Sequence, residues 1–294
     1  VQLTFGDIVV SCTNTDRVVF PEAGITKGDV IAYYRDVAEV MVPELQGRPL
    51  TLERFTKGLA GGGFYQKHRQ KHFPAWIDHV VLGGKTRVDY PICDSAASLV
   101  YFANQGALAL HVMTSRKATP DRPDLLVLDL DPPEDGYELA RVAARLVGEE
   151  LDALALPAFV KTTGSKGLHV VAPLDGLDGF DVVGRLGHAI AARLCERHPD
   201  QLTTEFYKKD RRGRLFLDTM RNAPGATFVA AYSLRGRPTA PVSAPIDWDE
   251  LDTVRPDGIT LRDLRARLDR RGDPWRELRD RPGSASAAWS ILAA

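Results

Sequence analysis

Leu125-Leu126-Val127-Leu128-Asp129-Leu130-Asp131-Pro132 is the stretch that decides the reading of this chain. An apolar run of this length, closed by proline, predicts a buried β-strand. Side chains alternate along a strand, so Asp129 and Asp131 leave the same face, roughly 6–7 Å apart. Two carboxylates at the end of a buried strand are costly unless a cation compensates them, and a divalent metal is the simplest such partner. The competing reading is a pair of solvated aspartates at a strand–loop junction, and a lone D-x-D motif does not exclude it.

The rest of the sequence narrows the choice. The chain has 294 residues, 44% of them apolar and 26% charged, which is enough for a substantial core in a globular protein. No membrane-length apolar run and no charged-then-apolar leader is present, so the expectation is a cytoplasmic protein with no membrane partner. Cys12, Cys93 and Cys195 are odd in number and widely spaced, which fits neither a disulfide framework nor a zinc cluster. The net charge is only −1, but its distribution is uneven. The segment from Lys57 to Lys71, including Lys67, is basic, and Lys208, Lys209, Arg211 and Arg212 form a dense cluster. Segregated patches of this kind suit phosphate binding on one face. His68 and His72 have i,i+4 spacing without an intervening metalloprotease Glu, so the segment reads as solvated and basic.

Along the chain, residues 1–20 read as short strands with a turn at Asn14-Thr15-Asp16. Thr26 reads as the N-cap of one helix running from Lys27 to about Val42, with Pro43 at its end or bend. Arg48 to Phe55 reads as a strand leading into a glycine-rich turn, and Asp94 to Leu110 as a helix. Gly136–Leu151 and Val182–Arg197 are amphipathic helices. Between them, Ala158–Thr163 and Leu168–Ala172 form a hairpin with Gly164-Ser165-Lys166-Gly167 at its tip. Leu215–Asp218 is a strand ending in a third carboxylate, and Thr227–Tyr232 another strand. A solvated helix is expected at Leu261–Arg270, and the last dozen residues read as a weakly ordered tail. The interspersed strands and helices lack a regular βαβ beat, which favours an α+β fold.

Three strand-borne carboxylates (Asp129, Asp131, Asp218), a hairpin tip bearing Ser165, Lys166 and His169, and a basic turn with Arg235 make a coherent set for phosphoryl or nucleotidyl transfer. The motifs Leu128–Pro132, Gly164–His169, Phe216–Asp218 and Tyr232–Arg237 resemble, in order and spacing, the polymerase domain of bacterial DNA ligase D, a member of the archaeo-eukaryotic primase superfamily. Thr13–Val18 and Thr26–Val30 resemble its N-terminal motifs, so the resemblance runs over nearly the whole chain. No K-x-D-G adenylation motif or nuclease segment is seen, so the chain looks like a free-standing actinobacterial or mycobacterial form, or an excised module.

The resemblance implies an archaeo-eukaryotic primase-polymerase fold, α+β, with an RRM-like catalytic sheet packed against an N-terminal α/β part. One domain over residues 1–294 is expected: an N-terminal part at about 1–119, a catalytic part at about 120–240 and a C-terminal extension at about 241–294. It implies template-dependent addition of nucleotides, preferably ribonucleotides, to a primer 3′-hydroxyl, with two Mn2+ or Mg2+ ions during catalysis, in short-gap filling or end repair. Asp129, Asp131 and Asp218 match its metal triad. Ser165, Lys166, His169 and Arg235 match its triphosphate contacts, and His111 a histidine beside the incoming nucleotide. Thr163 stands where relatives often place a serine that meets the sugar 2′-hydroxyl. Phe64 or Tyr65 matches an aromatic that stacks on the template. Asn14, Arg17 and Lys27 match a pocket for a downstream 5′-phosphate, with Arg17 in place of a lysine. Lys67, Lys208, Lys209, Arg211 and Arg212 are the expected DNA contacts. The implied partners are gapped or broken DNA, nucleoside triphosphates, a separate ATP-dependent DNA ligase and an end-binding protein. Two other readings stay open at the level of sequence: a non-catalytic DNA-end-binding module and a metal-dependent phosphohydrolase.

Overall fold

A computed structural model describes residues 1–84 and 86–294. The chain forms two compact units and passes between them several times. One comprises Val1–Met113, Thr227–Ala244 and Ile259–Gly272, and the other Thr114–Ala226, Pro245–Gly258 and Asp273–Ala294.

The second unit is built on the expected acidic strand. Leu125–Asp131 lies inside a six-stranded sheet ordered Leu202–Thr203, Leu215–Asp218, Leu125–Asp131, Leu168–Pro173, Phe159–Thr162 and Pro245–Ile246. It runs antiparallel to both neighbours. Leu126, Leu128 and Leu130 are fully buried on one face. The helix Phe180–Arg197 packs there closely enough that a Cβ on Gly187 would lie 3.1 Å from Leu126 Cδ1. Asp129 and Asp131 take the other face by alternation. The helix Tyr137–Ala153 buries Ala140, Ala143, Ala144, Val147 and Leu151, a 3.6-residue stripe laid along the central strands.

The first unit holds a four-stranded sheet ordered Phe228–Val229, Ala107–Val112, Leu50–Arg54 and Phe64–Gln66. Its helices are Lys27–Asp36, Ala38–Leu45 and Ala96–Asn104. Thr26 caps the first of them through a reciprocal box with Asp29.

Four expectations are corrected. The helix expected over Asp94–Leu110 stops at Asn104. Gly106, at φ +82°, turns the chain, and Ala107–Val112 is a buried strand. A short apolar run has no period by which to tell strand from helix. The single helix expected from Lys27 to Val42 is two, broken at Val37, and Pro43 lies inside the second. The strand expected over Thr227–Tyr232 pairs only at Phe228–Val229 before Tyr232, at φ +65°, leaves the ladder. The expected loose tail is a helix, Ala285–Leu292, capped by Ser284 and burying Ala285 and Ala288. Ser286 N–H and Oγ–H bond to Asp178, which anchors its first turn. No helix among the described residues is long and apolar enough to cross a membrane.

Candidate active site

The acidic strand and its neighbours place four charged or polar side chains in one transverse row. Lys161 pairs with His169, His169 with Asp129, and Asp129 with Asp218, each across adjacent antiparallel strands. Directly opposed residues share a face, with strands about 4.8 Å apart. The row therefore reads cation, imidazole, carboxylate, carboxylate. Lys161, His169 and Asp218 are buried.

Each member is explained by its surroundings. Burial alone would raise the Asp129 carboxyl, but His169 and Arg221 outweigh it and hold the group well below the usual carboxylate range. His169 Nε2 lies 3.3 Å from Asp129 Oδ1. Burial, reinforced by the Lys161 ammonium, pushes the His169 imidazole down to about 4 against the pull of Asp129. The ring is therefore neutral near pH 7 and donates Nε2–H to the carboxylate. Asp218 accepts the Met220 N–H at 2.8 Å. Its carboxyl is raised, chiefly by burial, with Asp129 and Asp131 adding repulsion. The pair is thus short of positive charge on the Asp218 side.

Two arginines answer part of that deficit. Arg221 reaches Asp129 Oδ2 at 3.1 Å and Asp218 Oδ2 at 3.5 Å. Arg211 lies 2.7 Å from Asp131 Oδ2. Arg221 is positioned by its neighbour Asn222, whose buried amide bonds both N–H and C=O of Val127 at 2.8 Å. In effect Asn222 extends the sheet one step beyond the strand that ends at Asp218. Neither Lys161, Arg221 nor Asn222 was singled out from sequence. The available signals were a lysine inside an apolar strand and a polar pair three and four residues beyond the third aspartate.

The hairpin tip is shaped by close contact with the acidic strand. Gly164 sits at φ +64°, and a Cβ on Gly167 would lie 2.0 Å from Leu130 O, so only glycine fits there. Thr163 Oγ1 donates to Gly167 O at 3.0 Å and closes the turn. Ser165 is half-buried at the tip, and Lys166 is exposed, 3.6 Å from Glu134.

Three hard-oxygen carboxylates, with Asp218 still short of positive charge, suit a divalent cation of the Mg2+ or Mn2+ type. Asp129, Asp131 and Asp218 would hold it. A tighter acidic group, Asp247, Asp249 and Glu250, has ligand atoms within 4.8 Å of one another. Glu250 there accepts the Asp247 N–H at 2.9 Å in a capping box, which accounts for the grouping as local helix capping.

Of the other predicted residues, His111, Arg235, Phe64, Tyr65, Asn14, Arg17, Lys27 and Lys67 lie in the first unit, and Lys208, Lys209, Arg211 and Arg212 in the second. His111 Nε2 is 3.8 Å from Glu53 Oε2, and its ring meets Tyr65 edge-on with centroids 5.5 Å apart. Glu53 is held low by its hydrogen bond to His111 and then, against burial, by the charges of His111, Arg235 and Arg237. Register separates the two aromatics: Phe64 opposes Arg54, whose guanidinium lies 5.7 Å from its ring centroid, whereas Tyr65 opposes Glu53. Both rings are exposed.

Asn14, Arg17 and Lys27 are drawn together by backbone bonds from Arg17 N–H to Asn14 O and from Lys27 N–H to Arg17 O. Lys27 is buried, and Nζ donates to Thr13 O at 2.6 Å. Burial, then the Arg17 charge, lowers its ammonium from the ordinary lysine value. Lys67, Lys208, Lys209 and Arg212 are exposed. Arg211 instead turns inward to Asp131.

Residues 26–275 match the family model described as LigD, primase-polymerase domain. The chain is 36% identical over 275 residues to the multifunctional non-homologous end joining DNA repair protein LigD of Mycobacterium tuberculosis, covering 90% of this chain and 36% of that protein. It is 29% identical to the bifunctional non-homologous end joining protein LigD of Bacillus subtilis, covering 93% of this chain and 45% of that protein. The chain thus spans between a third and a half of the length of these relatives. Among solved structures, the polymerase domain of Mycobacterium tuberculosis ligase D in complex with DNA matches with a TM-score of 0.88 and 34% identity, covering 93% of this chain and 99% of that one. With the acidic row, the primase-type fold and these matches in hand, the chain belongs to the LigD primase-polymerase domain family and is a nucleotidyltransferase of that class.

Proposed function

We propose that this chain extends a primer 3′-hydroxyl on a DNA template, preferring ribonucleotides, and fills short gaps at broken DNA ends. The observation that carries the proposal is the Asp129–Asp218 register pair beside neutral His169, with buried Asp218 under-compensated by Arg221. The residues are assigned as follows. Asp129, Asp131 and Asp218 would hold two Mn2+ or Mg2+ ions, which when bound supply Lewis-acid activation of the primer hydroxyl and neutralisation of the reacting phosphates. His169 fixes the Asp129 carboxylate in place by its Nε2–H bond and, being neutral, adds no charge that opposes a cation. Ser165 and Lys166, at the hairpin tip, contact the triphosphate, the lysine as a mobile point charge. Arg235 is assigned to nucleotide phosphate, and His111 to the incoming nucleotide. Thr163 carries the hydroxyl that recognises the ribose. Phe64 and Tyr65 provide the stacking surface for the template.

The cluster of Asn14, Arg17 and Lys27 takes the downstream 5′-phosphate. Two cations meet there at the start of a helix whose dipole favours an anion. A DNA ligase and an end-binding protein are the partners that such a reaction requires, because a filled gap still has to be brought together and sealed. The test is incorporation of matched ribo- and deoxyribonucleotides on a gapped duplex with Mn2+. Preferential ribonucleotide addition, by about fivefold or more for a hydrogen bond worth about 1 kcal/mol or more, is expected. Equal use of both sugars would remove the ribose assignment, and no extension at all would remove the polymerase assignment.

A further inference from the structure

The segment Phe206-Tyr207-Lys208-Lys209-Asp210-Arg211-Arg212 carries two large aromatic rings that the fold does not bury. Phe206 is 54% exposed and Tyr207 65% exposed. A lone exposed ring needs no explanation, but two adjacent ones among cations form an unusual surface. The rings meet edge-on with centroids 5.4 Å apart, and Lys209 Nζ lies 6.0 Å from the Tyr207 centroid. Lys208, Lys209 and Arg212 are all exposed.

This surface is built rather than loose. Phe206 also meets Phe216 of the strand that carries Asp218, with centroids 6.3 Å apart. Arg211 lies 4.3 Å from the Phe216 ring centroid and donates to Glu205 O at 3.2 Å and Phe206 O at 2.9 Å. The same guanidinium is 2.7 Å from Asp131. One arginine therefore fastens the aromatic segment both to itself and to the acidic strand.

We propose that Phe206 and Tyr207 form a stacking platform for the unpaired bases of a single-stranded DNA end, with Lys208, Lys209 and Arg212 meeting its phosphates. Every base has a π-face, and aromatic rings interleaved with cations bind single strands by stacking and charge together. A duplex keeps its base faces stacked inside, so the rings select unpaired nucleotides over paired ones. A protein partner would place a buried interface core on two exposed lysines, a residue type depleted from such cores. The proposal rests on the reading that the chain works on broken DNA ends, and it places the strand on the segment tied to Asp131.

The experiment uses the whole chain without metal or nucleotide, so that binding is read apart from catalysis. A blunt duplex is compared with the same duplex bearing a 3′ overhang of six thymidines, by fluorescence anisotropy at two salt concentrations. A second overhang carries 2-aminopurine, whose fluorescence falls when it stacks. Wild type should bind the overhang about tenfold more tightly than the blunt end and quench the probe, as expected for about one stacked base. Tyr207→Ala and Phe206→Ala/Tyr207→Ala should lose both effects, and Tyr207→Trp should keep them. Lys208→Ala/Lys209→Ala should weaken both duplexes and reduce the salt slope while the probe stays quenched. Equal binding of the two duplexes by wild type overturns the proposal, as does an overhang preference and quench that survive the double aromatic variant. Overhang binding without primer extension would sink the polymerase assignment alone, whereas extension without overhang preference would sink the platform alone.

Discussion

The acidic face of the second unit and the basic face of the first handle charge in opposite ways. In the second unit, Lys161, His169, Asp129 and Asp218 are locked into one row by strand register, and Arg221 and Arg211 reach the carboxylates from short helical turns. Every position there depends on its neighbour, because buried charges tolerate no vacancy. In the first unit, the Arg17 charge acts on buried Lys27, and the charges of Arg235 and Arg237 act on Glu53. In the proposed function, the row, short of positive charge at Asp218, holds a cation and the reacting groups, and the cations of the first unit collect phosphates. The difference teaches that substitutions in the row should damage the fold as well as the chemistry, whereas those at the first-unit cations should alter affinity more than stability.

The largest expected effect comes from Gly167→Ala. A Cβ 2.0 Å from Leu130 O cannot be accommodated by rotating a side chain, because the obstacle is backbone of the acidic strand. Displacement of the hairpin should destabilise the protein by roughly 3 kcal/mol or more, read by urea unfolding. A variant as stable as wild type would show that the tip does not lock onto that strand.

Next comes the pH dependence of the row. The imidazole of His169 is depressed to about 4 in the fold, against about 6.5 in an unfolded chain. The unfolded state takes up the proton first, so stability should fall as pH drops from about 6.5 toward 4. The loss approaches roughly 3 kcal/mol at the lower limit. Asp129, held low, adds its own loss only below its unfolded carboxylate range. His169→Asn should flatten the upper window and shrink the lower one, because His169 helps to hold Asp129 low. A wild-type stability profile that is level between pH 6.5 and 4 would contradict the buried neutral imidazole.

The smallest effect belongs to the basic face. Arg17→Ala/Lys27→Ala should reduce the preference for a gapped duplex with a downstream 5′-phosphate by about tenfold, close to the worth of a charge-assisted hydrogen bond. Stability read by urea unfolding should fall by about 1 kcal/mol, the worth of the buried Lys27 Nζ bond to Thr13 O, with little added by the partly exposed Arg17. If the double variant loses stability but keeps its phosphate preference, the contrast between the two faces is reversed.

How much of this was legible in the sequence follows from what carries a period. The shared face of Asp129 and Asp131 needed only strand alternation, and the hairpin at Gly164–Gly167 only its turn residues. The N-cap at Thr26 and the two long helices of the second unit were equally plain. Lys161 and Glu53 were not found, because their partners are set by cross-strand register rather than by spacing along the chain. Arg221 and Asn222 follow a strand end, where no period remains. The buried strand Ala107–Val112 was taken into the preceding helix because its apolar run is too short to show a period. The terminal helix was hidden by small residues, although Ser284 stands at its cap.

The central claim is that Asp129, Asp131 and Asp218 together form the reaction centre of a nucleotidyltransferase. It is tested most directly by single-turnover primer extension on a gapped duplex with Mn2+, with DNA binding measured in parallel, for wild type, Asp129→Asn, Asp131→Asn and Asp218→Asn. The account predicts extension by wild type only, with each variant slowed by about 10³-fold or more. Affinity for DNA should stay within a few-fold, because it comes from Lys and Arg contacts with phosphate. Extension at the wild-type rate by any one of the three folded variants would contradict the account.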